Sequence, residues 1–275
     1  GPRVRFEGKH HQFAVFKGGN TLAGGQKRGM PAMDAIEIAY GDDRFGRRIV
    51  HGMKLIDPSH LVDIQAVADA AGIRLKTDLI YADAAHPLNN TFREAIYRAD
   101  ATMWIHKNLA EIVMLAARRA NDHALRFVLT DCLRTVDAQA RMAQTVIVKA
   151  NPHWTAPGPK MLLSLPGGGA HPRGMAVDIY LEDRDGHTID MGTQLDHFST
   201  DPSDNPAARD YPFPPQIMAN RKLLENFMVD AAKDLGGEIY PLPSEWWDFR
   251  FPAHVYEQYA PLSDKDLPEH MKMCS

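Results

Sequence analysis

The stretch Gly167-Gly168-Gly169-Ala170-His171-Pro172-Arg173-Gly174-Met175-Ala176-Val177-Asp178 constrains this chain more than any other. It sets an imidazole and a carboxylate seven residues apart, with Gly174 between them and the apolar, strand-like run Ile179-Tyr180-Leu181 directly after. That is the pattern of two metal ligands, one from a loop and one from the strand the loop enters. Far downstream, Glu245-Trp246-Trp247-Asp248-Phe249 offers two more carboxylates between aromatics. The two stretches together can close one site.

The rest of the chain supports a soluble globular frame for such a site. With 275 residues the chain suffices for one large domain or a core domain with an extension. A net charge of −4, with basic residues scattered apart from Arg44, Arg47 and Arg48, gives no electrostatic reason to expect nucleic acid or an anionic membrane. No apolar run reaches the roughly 18 residues of a membrane span. Cys132 and Cys274 cannot make a disulfide framework, and Cys132, in an apolar run, reads as a buried inert thiol. No signal peptide is visible behind Gly1-Pro2-Arg3; because a start without Met leaves room for a removed export segment, cytoplasm and periplasm both stay open.

Residues 1–75 read as an irregular extension packed on a main domain of residues 76–275. The first 50 are glycine-punctuated without sustained period, and His10-His11 read as solvated rather than ligating. Asp57-Pro58 is expected to open a helix with Leu61, Ile64, Val67 and Ala68 inward and Gly72 as its stop. Leu79-Ile80-Tyr81 is a short strand candidate. Residues 101–120 and 215–235 read as helices by their apolar spacing, and 125–129 as a strand followed by a helix over 135–149. The proline- and glycine-rich run 151–169 is a long loop, and Asp183 to His187 a hairpin turn leading into a returning strand. No GxGxxG or P-loop is present.

Hydrolytic zinc takes three protein ligands from His and carboxylate and leaves a position for water, whose proton a nearby carboxylate can accept. His171 and Asp178 supply two ligands, Asp248 a third, Glu245 the base, and Arg134 a clamp for a developing oxyanion. The bland alternatives are chance spacing, a surface glutamate and an exposed arginine.

These segments resemble peptidase family M15, in particular its VanX-like D-alanyl-D-alanine dipeptidase branch. The family's SxHxxGxAxD motif is met by Gly169 to Asp178, with His171, Gly174, Ala176 and Asp178 in register. Asp190-Met191-Gly192-Thr193-Gln194-Leu195-Asp196 looks like its DMGTxFD segment, and Asn220 to Met228 its NRxLLxxxM helix. Glu245-Trp246-Trp247-Asp248 resembles EWWH. The likeness covers roughly residues 79–259 and implies an α+β fold, a small antiparallel sheet flanked by helices. It further implies a zinc peptidase acting on a small peptide, with ligands His171, Asp178 and the residue at 248. Glu245 would be the general base, Arg134 would stabilise the tetrahedral intermediate, and Asp196 would sit near the substrate amino group.

Three departures stand out. Asp248 replaces the third histidine, Gly169 replaces a serine associated with gripping the substrate, and Asp131-Cys132-Leu133-Arg134-Thr135 lacks the tyrosine and proline of DxYRP. Two carboxylates with one imidazole cancel the charge of a divalent ion, which lowers its Lewis acidity and moves preference toward harder ions such as Mn2+. Aspartate is also shorter, so Asp248 must come closer or act through water; His254 is a substitute ligand to consider. The expectation is therefore a metal-dependent dipeptidase. The alternative is a diverged relative that binds ligands or cleaves a different amide. The oligomeric state stays open.

Overall fold

The computed structural model describes residues 49–274, His51, Pro159 and Lys160 excepted. The readings on residues 1–48, including His10-His11 and the Arg44, Arg47, Arg48 cluster, lie outside the described residues.

In chain order the first elements are strands β1 (Ile49–Val50), β2 (Met53–Lys54) and β3 (Leu61–Asp63), helix α1 (Ile64–Ala71), and strands β4 (Leu75–Thr77) and β5 (Trp104–His106). Then come α2 (Lys107–Asp122), β6 (Arg126–Asp131), α3 (Val136–Gln144), α4 (Val146–Ala150) and β7 (Ala176–Glu182). The chain closes through α5 (Pro215–Asp234), β8 (Tyr240–Pro241), β9 (Asp248–Arg250) and α6 (Ala253–Tyr256).

The helix expected from Asp57 begins only at Ile64. Asp57 accepts from the Ser59 N–H and caps a single 3-10 turn, after which β3 pairs antiparallel with β5. The true cap is Asp63, whose carboxylate accepts from the N–H groups of Gln65 and Ala66, and Gly72 in the left-handed region ends the helix as expected. Ile64 and Ala68 are fully buried, so residues 61–77 are integral to the main body. β5 likewise takes the first residues expected of the second helix, and His106 caps α2 by accepting from the Asn108 N–H at 3.3 Å. Leu79-Ile80-Tyr81 runs into a 3-10 turn, the strand lying just before it as β4. The helix expected over 135–149 breaks at Thr145, whose backbone is extended, into α3 and α4.

The fold is mixed α+β, with small sheets flanked by helices. The largest sheet has the order β4-β6-β7-β9-β8; β4 runs parallel to β6 and every other pairing is antiparallel. β7 is buried at all seven positions, as a strand must be when covered on both faces. α2 presents Leu109, Ile112, Val113 and Ala116 to the core, and α5 presents Leu224, Phe227, Met228 and Ala231. Phe227 lies 6.2 Å from the Phe127 ring of β6.

The returning strand expected after His187 reduces to one bridge between Glu182 and Thr188, and among the described residues no ladder includes the following segment, Asp190 to Asp196. Its carbonyls go instead to side chains of α5: Asn220 Nδ2 donates to Asp190 O at 2.8 Å, and Arg221 Nε to Met191 O at 2.8 Å. Arg221 also donates to Ala208 O at 2.5 Å and Pro206 O at 2.9 Å, so one buried guanidinium ties two loops to a helix.

Candidate active site

Sheet register builds the centre of the site. Asp131 closing β6, Asp178 in β7 and Asp248 opening β9 stand opposite one another across three adjacent strands, all at most 1% exposed. Like charges directly opposite destabilise a sheet, and burial raises the cost, so each carboxylate needs a cation or donors.

Asp131 is fully engaged. Its Oδ1 accepts from the Tyr97 hydroxyl at 2.6 Å and the Cys132 N–H at 2.8 Å, and its Oδ2 from Arg134 Nε at 2.6 Å and Nη2 at 2.5 Å. Asp248 is gripped by Arg250, two residues along the same strand and so on the same face. Arg250 Nε donates to Oδ1 at 2.7 Å and Nη2 to Oδ2, a bidentate pair. Burial would raise the Asp248 carboxyl, but Arg250 and His171 outweigh it and hold the group well below the usual carboxylate range. Asp178 is left over. Arg134 Nη2 reaches its Oδ2 only at 3.5 Å, and its buried Oδ1 has no hydrogen-bond partner among the described residues.

His171 starts a 3-10 turn just ahead of β7. Its Nδ1 donates to the Cys132 carbonyl at 2.8 Å, which aims Nε2 at the carboxylates: 3.2 Å to Asp248 Oδ2 and 3.6 Å to Asp178 Oδ1. Burial and Arg134 oppose a charge on this ring; Asp178 and Asp248 overcome both and push its pKa up to about 10.

Glu245 precedes β9 and is 7% exposed; its carboxyl hydrogen-bonds to no described residue. Burial first, then Asp248, raises its pKa well above the ordinary glutamate value. Asp196 adopts a left-handed backbone, φ 55°, and accepts from the Tyr81 hydroxyl. Burial, followed by the charge of Asp178, lifts it to about 7. Arg134, His171, Asp196, Glu245 and Asp248 line one narrow cleft, with Arg250 and Ser164 beside them; Asp178 lies just behind His171. Water centres have about 20 Å³ there, room for about one molecule. His254 is exposed on α6 and lies outside the cleft lining.

The peptidase M15 family model, described as D-ala-D-ala dipeptidase, matches residues 59–266. The chain belongs to this family. The D-alanyl-D-alanine dipeptidase of Escherichia coli (strain K12) is 29% identical over 209 residues, covering 76% of this chain and 92% of that relative. Membership makes the chain a peptidase of the M15 dipeptidase type, and the family implies a divalent metal.

The residues fit a metal. Asp131, His171 and Asp178 offer ligand atoms within 4.8 Å of one another. Within that trio Asp131 is a poor donor, because its lone pairs are taken and it faces Nδ1 of His171, 3.9 Å away, rather than Nε2. Asp248 faces Nε2. Tetrahedral zinc holds neighbouring N and O donors about 3.3 Å apart, close to the separations from Nε2 to Asp248 and to Asp178. The orphaned Asp178 Oδ1 is the acceptor such an ion would satisfy.

Sequence reasoning missed Arg250, Tyr81 and Tyr97. For Arg250 a signal existed, since strand alternation puts residues 248 and 250 on one face. Tyr81 arrives from a single 3-10 turn and Tyr97 from coil, neither long enough to show a period.

Proposed function

We propose that the chain hydrolyses a small dipeptide containing D-amino acids, of the D-Ala-D-Ala type, with zinc held by His171 Nε2, Asp178 and Asp248. The ion would supply Lewis acidity and make a water acidic enough to lose its proton near neutral pH. Glu245 accepts the proton of the attacking water and delivers it to the amine nitrogen as the C–N bond breaks; its raised pKa suits both halves of that transfer. Arg134, held by Asp131, directs its guanidinium at the oxygen that gains negative charge. Asp196 pairs with the substrate ammonium, and Tyr81 fixes its carboxylate.

The observation carrying this reading is the orphaned Asp178 Oδ1 beside His171 Nε2, just behind the cleft that His171, Glu245 and Asp248 line. Glu245→Gln should cut D-Ala-D-Ala turnover by about 10²- to 10⁴-fold while zinc stoichiometry stays unchanged. Turnover within a few-fold of the parent rejects the assignment.

The grip of Arg250 on Asp248 and the one-water cleft favour a second reading, a relative that has kept the fold and lost hydrolysis. Metal analysis with a D-Ala release assay separates the two. Stoichiometric zinc with release supports the peptidase, and zinc without release supports the diverged relative.

A further inference from the structure

Arg250 is a residue to which neither the motifs nor the proposed chemistry assigns a task. It stands half-buried in the cleft wall, its side chain 13% exposed, with Nε and Nη2 both committed to Asp248, and Nη1 hydrogen-bonds to no described residue. A carboxylate offers about four lone-pair positions. The guanidinium takes one on each oxygen of Asp248, and Oδ2 keeps another for the side where His171 Nε2 stands at 3.2 Å. Asp248 can therefore hold Arg250 and a cation together. Gly169 borders the pair: its φ of +74° disfavours any side chain, and a Cβ there would crowd Ser164 Oγ at 3.1 Å while making only ordinary contact with Arg250 Nη1 at 3.6 Å.

Formal charge shows what this does. His171, Asp178 and Asp248 alone would bring a divalent ion to zero net charge. With the fixed positive charge of Arg250 added, the total returns to plus one, as though the third donor were a neutral group.

Building on the metal reading above, we propose that Asp248 and Arg250 work as one neutral donor unit, in which Arg250 is a positioning residue that sets the charge of the metal site. The guanidinium both orients Asp248 and prevents the site from becoming over-neutralised.

The test is a double-mutant cycle read as zinc affinity, by competition with a chromophoric chelator on the full chain. Asp248→His alone puts a neutral donor against an unpaired Arg250 and should weaken zinc at least tenfold. Asp248→His with Arg250→Gln should recover affinity to within about threefold of the parent. Asp248→Asn, with and without Arg250→Gln, repeats the comparison at constant shape should the histidine variants fail to fold. Equal affinity with and without Arg250 in both pairs overturns the proposal, as does a parent that holds no zinc while the double variant does. D-Ala release measured in parallel keeps the two readings apart. A coupled cycle without release sinks only the proposed function, and release with a flat cycle sinks only the neutral unit.

Discussion

His106 offers the clearest link between fold and pH. It is 4% exposed, ends β5 and caps α2, with Nδ1 accepting from the Asn108 N–H. Burial first, then the neighbouring charges of His60 and Lys107, lowers its pKa from 6.5 to about 3. The folded state thus prefers the neutral ring. The stability this confers is complete above pH 6.5, declines as pH falls from 6.5 towards 3, and is fully lost below that. At about 1.4 kcal/mol per pH unit, the loss reaches roughly 2 kcal/mol at pH 5, and one proton is taken up on unfolding across that range. For a urea m-value of about 2 kcal/mol/M this lowers the midpoint by roughly 1 M. His106→Asn keeps a good capping oxygen that does not titrate. It leaves a small void and lowers stability uniformly, but between pH 7 and 5 its midpoint should fall by about 1 M less than that of the parent. Parallel curves for the two proteins would refute the argument, because the other titrating groups are common to both.

Gly192→Ala should cost about 2–4 kcal/mol in urea unfolding: φ is +82° and the new Cβ would lie 2.8 Å from Phe213 Cε2 and 2.9 Å from Ile217 Cγ2. Arg221→Met strips donors from three carbonyls and should destabilise by about 3–5 kcal/mol, with protease sensitivity rising first over residues 190–210. Arg134→Lys gives up a planar, two-pronged hold on Asp131; D-Ala-D-Ala turnover should drop about 10²- to 10³-fold at saturating substrate.

The parts of this structure legible beforehand are those where local sequence decides the outcome. α5 declared itself by repeated apolar spacing over twenty residues, and β7 by a continuous apolar run behind the glycine-rich turn. His171, Glu245 and Asp248 in the cleft, and Asp178 just behind it, could be picked out in the sequence because metal-assisted hydrolysis calls for those residue types together. Strands of three residues, such as β3 and β5, are too short to display a period of two, so a helix was read through both. The Asp190 to Asp196 segment has strand-like composition, but its backbone is satisfied by α5 side chains some thirty positions on, which local pattern cannot reveal. Arg250 escapes a sequence reading because an arginine on a short strand is usually exposed; the aspartate two places earlier holds it against the sheet, half-buried.

The alignment of Asp131, Asp178 and Asp248 across neighbouring strands has a mechanical consequence. Backbone hydrogen bonding fixes strands roughly 4.8 Å apart, so the anchoring carbons of Asp178 and Asp248 cannot spread without tearing the ladder, while an irregularity between Leu129 and Asp131 sets where Asp131 meets Asp178. Any tuning of the centre during evolution must therefore come from side-chain reach and from what presses on each carboxylate, with the scaffold acting as a ruler of constant pitch.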